Sequence, residues 1–227
     1  MAKLKFGMVV TEASGKLGGH VFARNRGGAY ARTKVTPVNP QTLSQQEARI
    51  KLSAFSQQWR GLSQGERDAW NAAVADFGRT DIFGDLRNPT GKNLYTLLNI
   101  NLLNAGQATI NEPPLPSAVE AFPISAVSAD LSALTFDVTF TNGTAGSTIL
   151  VFATEGVSPG VEFVKNRYRL IGTLAGNAAS PANVYTDYVA KFGIPAVGSK
   201  IFIAFRGVNN TTGQVSPLSA GSAIVQA

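Results

Sequence analysis

The chain has 227 residues, 44% hydrophobic and 15% charged, which suits one or two folded domains and excludes a disordered chain. It has no cysteine and one histidine, His20. Disulfides, thiolate metal sites and a cysteine nucleophile are therefore excluded, and any His-dependent centre would rest on one ring. Its net charge of +6 is uneven: residues 1–60 hold ten Lys/Arg against Glu12 and Glu47, residues 61–111 four against five acids, and residues 112–227 six against seven.

Basicity confined to the first quarter points to a polyanion, an acidic protein surface, or an arm that docks on neighbouring subunits. The opening apolar run is too short for a secretory signal, and charge returns at Glu12. No stretch approaches the ~18–20 apolar residues of a membrane span. The expectation is synthesis in the cytoplasm without membrane association.

Residues 6–11, 20–26 and 29–35 read as short strands, with Gly27-Gly28 as a hairpin loop between the last two. Tyr30, Arg32 and Lys34 alternate with Ala29, Ala31, Thr33 and Val35, which predicts one cationic face and one small, apolar face. Two prolines in Thr36-Pro37-Val38-Asn39-Pro40 stop the strand. A helix fits 42–60, with Ala48, Leu52, Phe55, Trp59 and Leu62 on one face. Ser63 and Glu66 have the spacing of a capping box and open a second helix over 64–77. A short connection predicts an antiparallel helical hairpin with Trp59 and Trp70 near its seam. A third helix fits 91–106, with Asn93, Asn99, Asn101 and Asn104 on its exposed or hydrogen-bonding face.

Asn111-Glu112-Pro113-Pro114-Leu115-Pro116 is a stiff segment and the best boundary. Beyond it the period changes to two. Strands are expected at 124–129, 134–140, 148–154, 167–173, 183–189, 199–208 and 214–225. The fold class is thus α+β and multidomain: a basic β-hairpin arm over 1–40, a small helical region over 41–111, a proline-rich linker over 112–120, and an immunoglobulin-like or fibronectin-type β-sandwich over 121–227.

The segment 200–219, with its apolar Ile201-Phe202-Ile203-Ala204-Phe205 strand, the Val208-Asn209 step, the Gly213 turn and Ser216-Pro217-Leu218-Ser219, resembles the last hairpin of fibronectin type III domains. The chain lacks the tryptophan that usually marks their second strand. The N-terminal half resembles virion-associated proteins of phages and prophages. That resemblance rests on the run from Val21 through Ala23-Arg24-Asn25-Arg26-Gly27-Gly28-Ala29-Tyr30 to Pro40, on Gln58-Trp59-Arg60-Gly61-Leu62-Ser63, on Glu66-Arg67-Asp68-Ala69-Trp70-Asn71, and on Gly91-Lys92-Asn93-Leu94-Tyr95. It implies a particle component made in the host cytoplasm and found in the virion, with other virion proteins as partners and a homo-oligomer or lattice as its state. It brings no catalytic residues.

No catalytic, cofactor-binding or metal site is expected. Gly15-Lys16-Leu17-Gly18-Gly19 lacks phosphate-loop spacing and reads as a turn. Asp137, Glu155, Glu162 and Asp187 are scattered over different elements, unlike glycosidase pairs. The candidate docking or polyanion-binding residues are Arg24, Arg26, Tyr30, Arg32 and Lys34. The first reading is a non-catalytic virion structural protein, as capsid decoration, head–tail or tail component. The alternatives are an adhesin or carbohydrate-binding sandwich using loops 156–162, 177–183 and 209–213, and a nucleic-acid-packaging protein using residues 1–60.

Overall fold

The computed structural model describes residues 2–8, 10–36 and 38–227. It is α+β, with antiparallel sheets and, among the described residues, four α-helices. The chain divides into two compact units: residues 1–50 with 79–87, and residues 51–78 with 88–227. The proline segment is therefore not where the units part.

Unit one is built on a sheet of four antiparallel strands: β1 (Ala2–Leu4), β2 (Gly15–Leu17), β3 (His20–Asn25) and β4 (Gly28–Thr33), in the order β1-β4-β3-β2. The expected hairpin is thus paired along both outer edges. Its loop is Arg26-Gly27, not Gly27-Gly28, because Asn25 stands opposite Gly28. The Asn25 side chain accepts the Gly27 N–H at 2.8 Å, and Gly28 takes a φ of +99° that a side chain would oppose. The strand expected over 6–11 is not formed at Phe6–Met8 or at Val10 and Thr11; Val9 lies outside the described residues. Ala2–Leu4 occupies the edge of β4 instead. Of the expected strand stop, Pro37 also lies outside the described residues.

Helix α1 (Leu43–Gly61) opens in unit one and ends in unit two. Its stripe is buried only from Phe55 onward; Ala48 and Leu52 are exposed. Helix α2 (Gln64–Ala73) has the full capping box: Ser63 Oγ accepts the Glu66 N–H, and Glu66 accepts the Ser63 N–H at 2.7 Å. The helix expected to run to Phe77 tightens into a 3₁₀ turn over Val74–Phe77. A short hairpin of β5 (Arg79–Thr80) and β6 (Leu86–Arg87) returns to unit one.

Helix α3 (Gly91–Asn104) is capped by Thr90 and ends at Gly106, whose φ of +70° closes the last turn. Phe55, Leu62, Trp70, Leu94, Tyr95 and Leu98 form one cluster. Tyr95 lies at its centre, with the rings of Trp70 and Trp59 at 5.4 and 5.6 Å. Both tryptophans thus pack on Tyr95 of the third helix, and not on each other across the two-helix seam that the sequence predicts.

The remaining strands are β7 (Ile124–Asp130), β8 (Thr135–Phe140), β9 (Ser147–Ala153), β10 (Arg169–Ala175), β11 (Ala182–Asn183), β12 (Lys200–Asn209) and β13 (Ser219–Ile224). They form one sheet in the order β10-β9-β12-β13 and another in the order β11-β8-β7. One apolar core joins them, through Phe136, Val138 and Phe140 from one sheet and Ile149, Val151, Ile203 and Phe205 from the other. Residues 183–189 are not a strand. Only Asn183 is in a strand, at the end of β11; from Tyr185 on they fall in helix α4 (Tyr185–Phe192), because Tyr185, Tyr188, Val189 and Phe192 recur at helical spacing and press on the same core. The last strand starts at Ser219, past Pro217, and not at 214.

Candidate docking site on the N-terminal sheet

Side chains alternate across a strand, so register assigns each residue of unit one to a face. Tyr30 stands opposite Ala23 and Lys3, while Arg32 stands opposite Val21, itself paired with Lys16. Lys3, Lys16, Tyr30 and Arg32 therefore share a basic face. Ala2, Leu4, Leu17, His20, Phe22, Ala29, Ala31 and Thr33 lie on the other face, together with Arg24.

The five predicted residues are not one cluster. Tyr30 and Arg32 are neighbours on the basic face, and Arg26 is exposed in the turn. Lys34 lies one residue past the end of β4, where its backbone N–H donates to the Gly19 carbonyl at 2.8 Å. Arg24 points the other way and reaches Glu12 at 3.4 Å. Among the described residues, Lys16, Arg26, Arg32 and Lys34 form no ion pair.

Residues 79–87 lie over one end of the basic face. Lys3 Nζ meets Asp81 at 3.0 Å, Arg87 meets Asp81 at 3.4 Å, and Lys5 meets Asp85 at 3.1 Å. The Arg87 guanidinium lies 3.5 Å from where a Cβ on Gly28 would stand. The Asp81 side chain is 3% exposed. Burial pushes its carboxyl up, but the Lys3 ammonium and the amide N–H groups of Phe83 and Asp85 outweigh that and hold it well below its ordinary 3.8. Sequence reading missed this network. Its only signal was a pair of acids spaced four apart in a loop flanked by arginines.

Two properties distinguish unit one. It holds ten Lys/Arg against four Asp/Glu, net +6, so the whole net charge of the chain resides there. Among its described residues, no hydrophobic side chain is buried, whereas Met8, Leu17, Val38, Leu43, Ile50 and Ile82 are exposed. A single-layer sheet without a core does not hold itself together by apolar burial.

Elsewhere the candidates thin out. Among the described residues no group of three or more His, Cys, Asp or Glu is placed to hold a metal ion. The loop 209–213 is engaged, since Asn101 donates to the Gly213 carbonyl at 2.9 Å. A shallow groove of about 330 Å³ lies between Phe163, Lys165, Tyr168 and Leu218. No helix of the described residues is long and apolar enough to cross a membrane. No protein-family model, curated protein or solved structure matches the chain.

Proposed function

We propose that this chain is a non-catalytic structural component of a phage-type virion, docked through unit one and carrying an immunoglobulin-like β-sandwich over residues 121–227. The observation that carries the reading is that unit one concentrates the entire net charge while, among its described residues, no apolar side chain is buried. Such a unit gains its missing burial only against another surface. The resemblance of residues 21–40, 58–71 and 91–95 to virion-associated proteins supplies the kind of assembly. The sandwich reading is supported by seven antiparallel strands split four and three around one core.

The test is quantitative mass spectrometry of purified particles, scored as copies relative to the major capsid subunit. A copy number that tracks the capsid lattice, a vertex or the tail is expected. Absence from the particles overturns the reading.

A second reading is nucleic-acid binding through Arg26, Tyr30, Arg32, Lys34 and Lys16, favoured by the four cations among them that lack an acidic partner. It predicts duplex binding whose affinity falls steeply with salt, with a slope that shrinks by about one for each cation removed that contacts a phosphate. Salt-independent binding, or none, removes it.

A further inference from the structure

We propose that a groove on the outer face of the β10-β9-β12-β13 sheet binds an acidic saccharide. The inference goes beyond the proposed structural role and rests on unit two alone. Ile201, Ile203 and Phe205 of β12 point into the core shared by the two sheets, so alternation turns Phe202, Ala204 and Arg206 to the opposite face. Ala220 and Ser222 of β13 stand opposite Ala204 and Phe202 and share that face. One end of it is covered by the chain itself, where Ala105, just past α3, packs on Leu150 and Val208. Towards the other end Val157 and Val164 are buried on Phe202. There the groove of about 330 Å³ stays open, lined by Phe163, Lys165, Tyr168, Leu218 and Ser222 among others. Its size is at the lower end of ligand pockets, which fits one ring of a longer chain.

Charge says what sign of ligand belongs there. Residues 112–227 hold six Lys/Arg against seven Asp/Glu, a nearly neutral balance. Yet five of the six cations gather around this face: Lys165 lines the groove, Arg167 and Arg169 flank Tyr168, and Lys200 and Arg206 bracket Phe202 along β12. Lys200 is matched by Glu162 at 2.6 Å. Among the described residues the other four form no ion pair. Of the seven acids, Glu162 is the one that lines the groove. The local surplus attracts an anion.

The lining says what kind of anion. Phe163 is 77% exposed, an apolar ring held in water beside Tyr168 and Phe202. Such a ring is a stacking surface for the C–H face of a sugar. The Glu162 carboxylate is also exposed and bonds Lys200 through Oε1. A phosphate chain would meet it as a like charge, whereas sugar hydroxyls donate to it. The Ser222 hydroxyl and the Tyr168 hydroxyl, which burial keeps neutral, both donate and accept. An aromatic platform ringed by donors and acceptors, under a surplus of positive charge, matches a carboxylated sugar chain and not a nucleic-acid strand.

The experiment uses the full chain at about 0.15 M salt, where diffuse attraction to the basic N-terminal unit is largely screened. Binding is read by biolayer interferometry on immobilised polygalacturonate, alginate and polysialic acid, beside neutral dextran, a thymidine oligonucleotide and polyglutamate. At least one of the acidic saccharides should bind about tenfold or more tightly than all three controls. Phe163→Ala and Lys165→Ala should each weaken that binding about fivefold or more. Both side chains are exposed, so thermal unfolding should not change. Arg26→Ala with Arg32→Ala in unit one should leave the binding as it is. No binding to any of the three saccharides overturns the proposal. So does equal binding to the oligonucleotide or to polyglutamate, and so does binding that the unit-one variant loses and the groove variants keep. None of these outcomes bears on whether particles contain the chain, so the virion reading stands or falls separately.

Discussion

The indole N–H of Trp70 donates to the Asn111 carbonyl at 2.5 Å, joining helix α2 to the first residue of the proline segment. Trp70 is fully buried, and its ring meets Tyr95 edge-on. Trp70→Phe keeps an aromatic ring and removes the donor, leaving the Asn111 carbonyl unpaired. The expected loss is about 2 kcal/mol of stability in unit two. Denaturant unfolding followed by the remaining Trp59 would show a lower midpoint at unchanged slope.

Asn99 is also fully buried, and its amide is saturated: it donates to the carbonyls of Tyr95 and Ile110, at 3.0 and 3.1 Å, and accepts the Ile110 N–H at 2.8 Å. Asn99→Leu has a similar volume but orphans both backbone groups of Ile110. A loss of about 3 kcal/mol is expected. The amide proton of Ile110 should lose its hydrogen-exchange protection first.

Gly213 has a φ of +69°, and a Cβ there would stand 2.4 Å from the Leu98 carbonyl oxygen. Gly213→Ala should therefore push the β12–β13 loop off helix α3 and break the Asn101 contact, at about 2 kcal/mol. The check is thermal unfolding of the variant beside Gly160→Ala, where nothing lies within 4 Å and φ is not positive.

Tyr188 lies in the core against Phe136, its hydroxyl buried without a hydrogen-bond partner among the described residues. Burial first, and the Glu155 carboxylate second, push its ionisation up to about 12. A folded value above the ordinary 10 favours the neutral ring, so its contribution to stability is present below pH 10 and is lost as pH rises from 10 to about 12. Tyr188→Phe removes both the unpaired hydroxyl and this alkaline sensitivity. It should leave stability unchanged or raise it by up to about 1 kcal/mol at pH 7. Unfolding measured at pH 7 and 11 separates the two effects.

Asp81 has the opposite sign. Its carboxyl is held below the ordinary 3.8, so the stability it gives unit one is present above that value and is lost as pH falls below it. Asp81→Asn should weaken amide protection in β1 and β4 at neutral pH. The gap between variant and wild type should close on acidification. A gap that persists unchanged at low pH would mean the network acts through packing and not charge.

Much of this architecture is legible along the chain because it is written in local terms. The Ser63–Glu66 box, the helical stripe from Phe55 to Leu62, and the continuous apolar run of residues 201–205 each follow from local sequence alone. Residues 185–192 show the limit. Tyr185, Tyr188 and Val189 favour strands, but the spacing of Tyr185, Tyr188 and Phe192 suits a helix, and the core they fill decides between the two.

The candidate site is less legible. Sequence determined that basic charge concentrates near the N-terminus, that Tyr30 and Arg32 share a face, and that cysteine chemistry is absent. Tertiary structure decided that Arg24 faces the other way, that Lys3 and Lys5 are matched by Asp81 and Asp85 about eighty residues later, and that no apolar side chain among the described residues of unit one is buried. The physical reason is range. Capping and amphipathic spacing act within a turn or a strand, whereas charge pairing and burial depend on which distant segments the fold brings together.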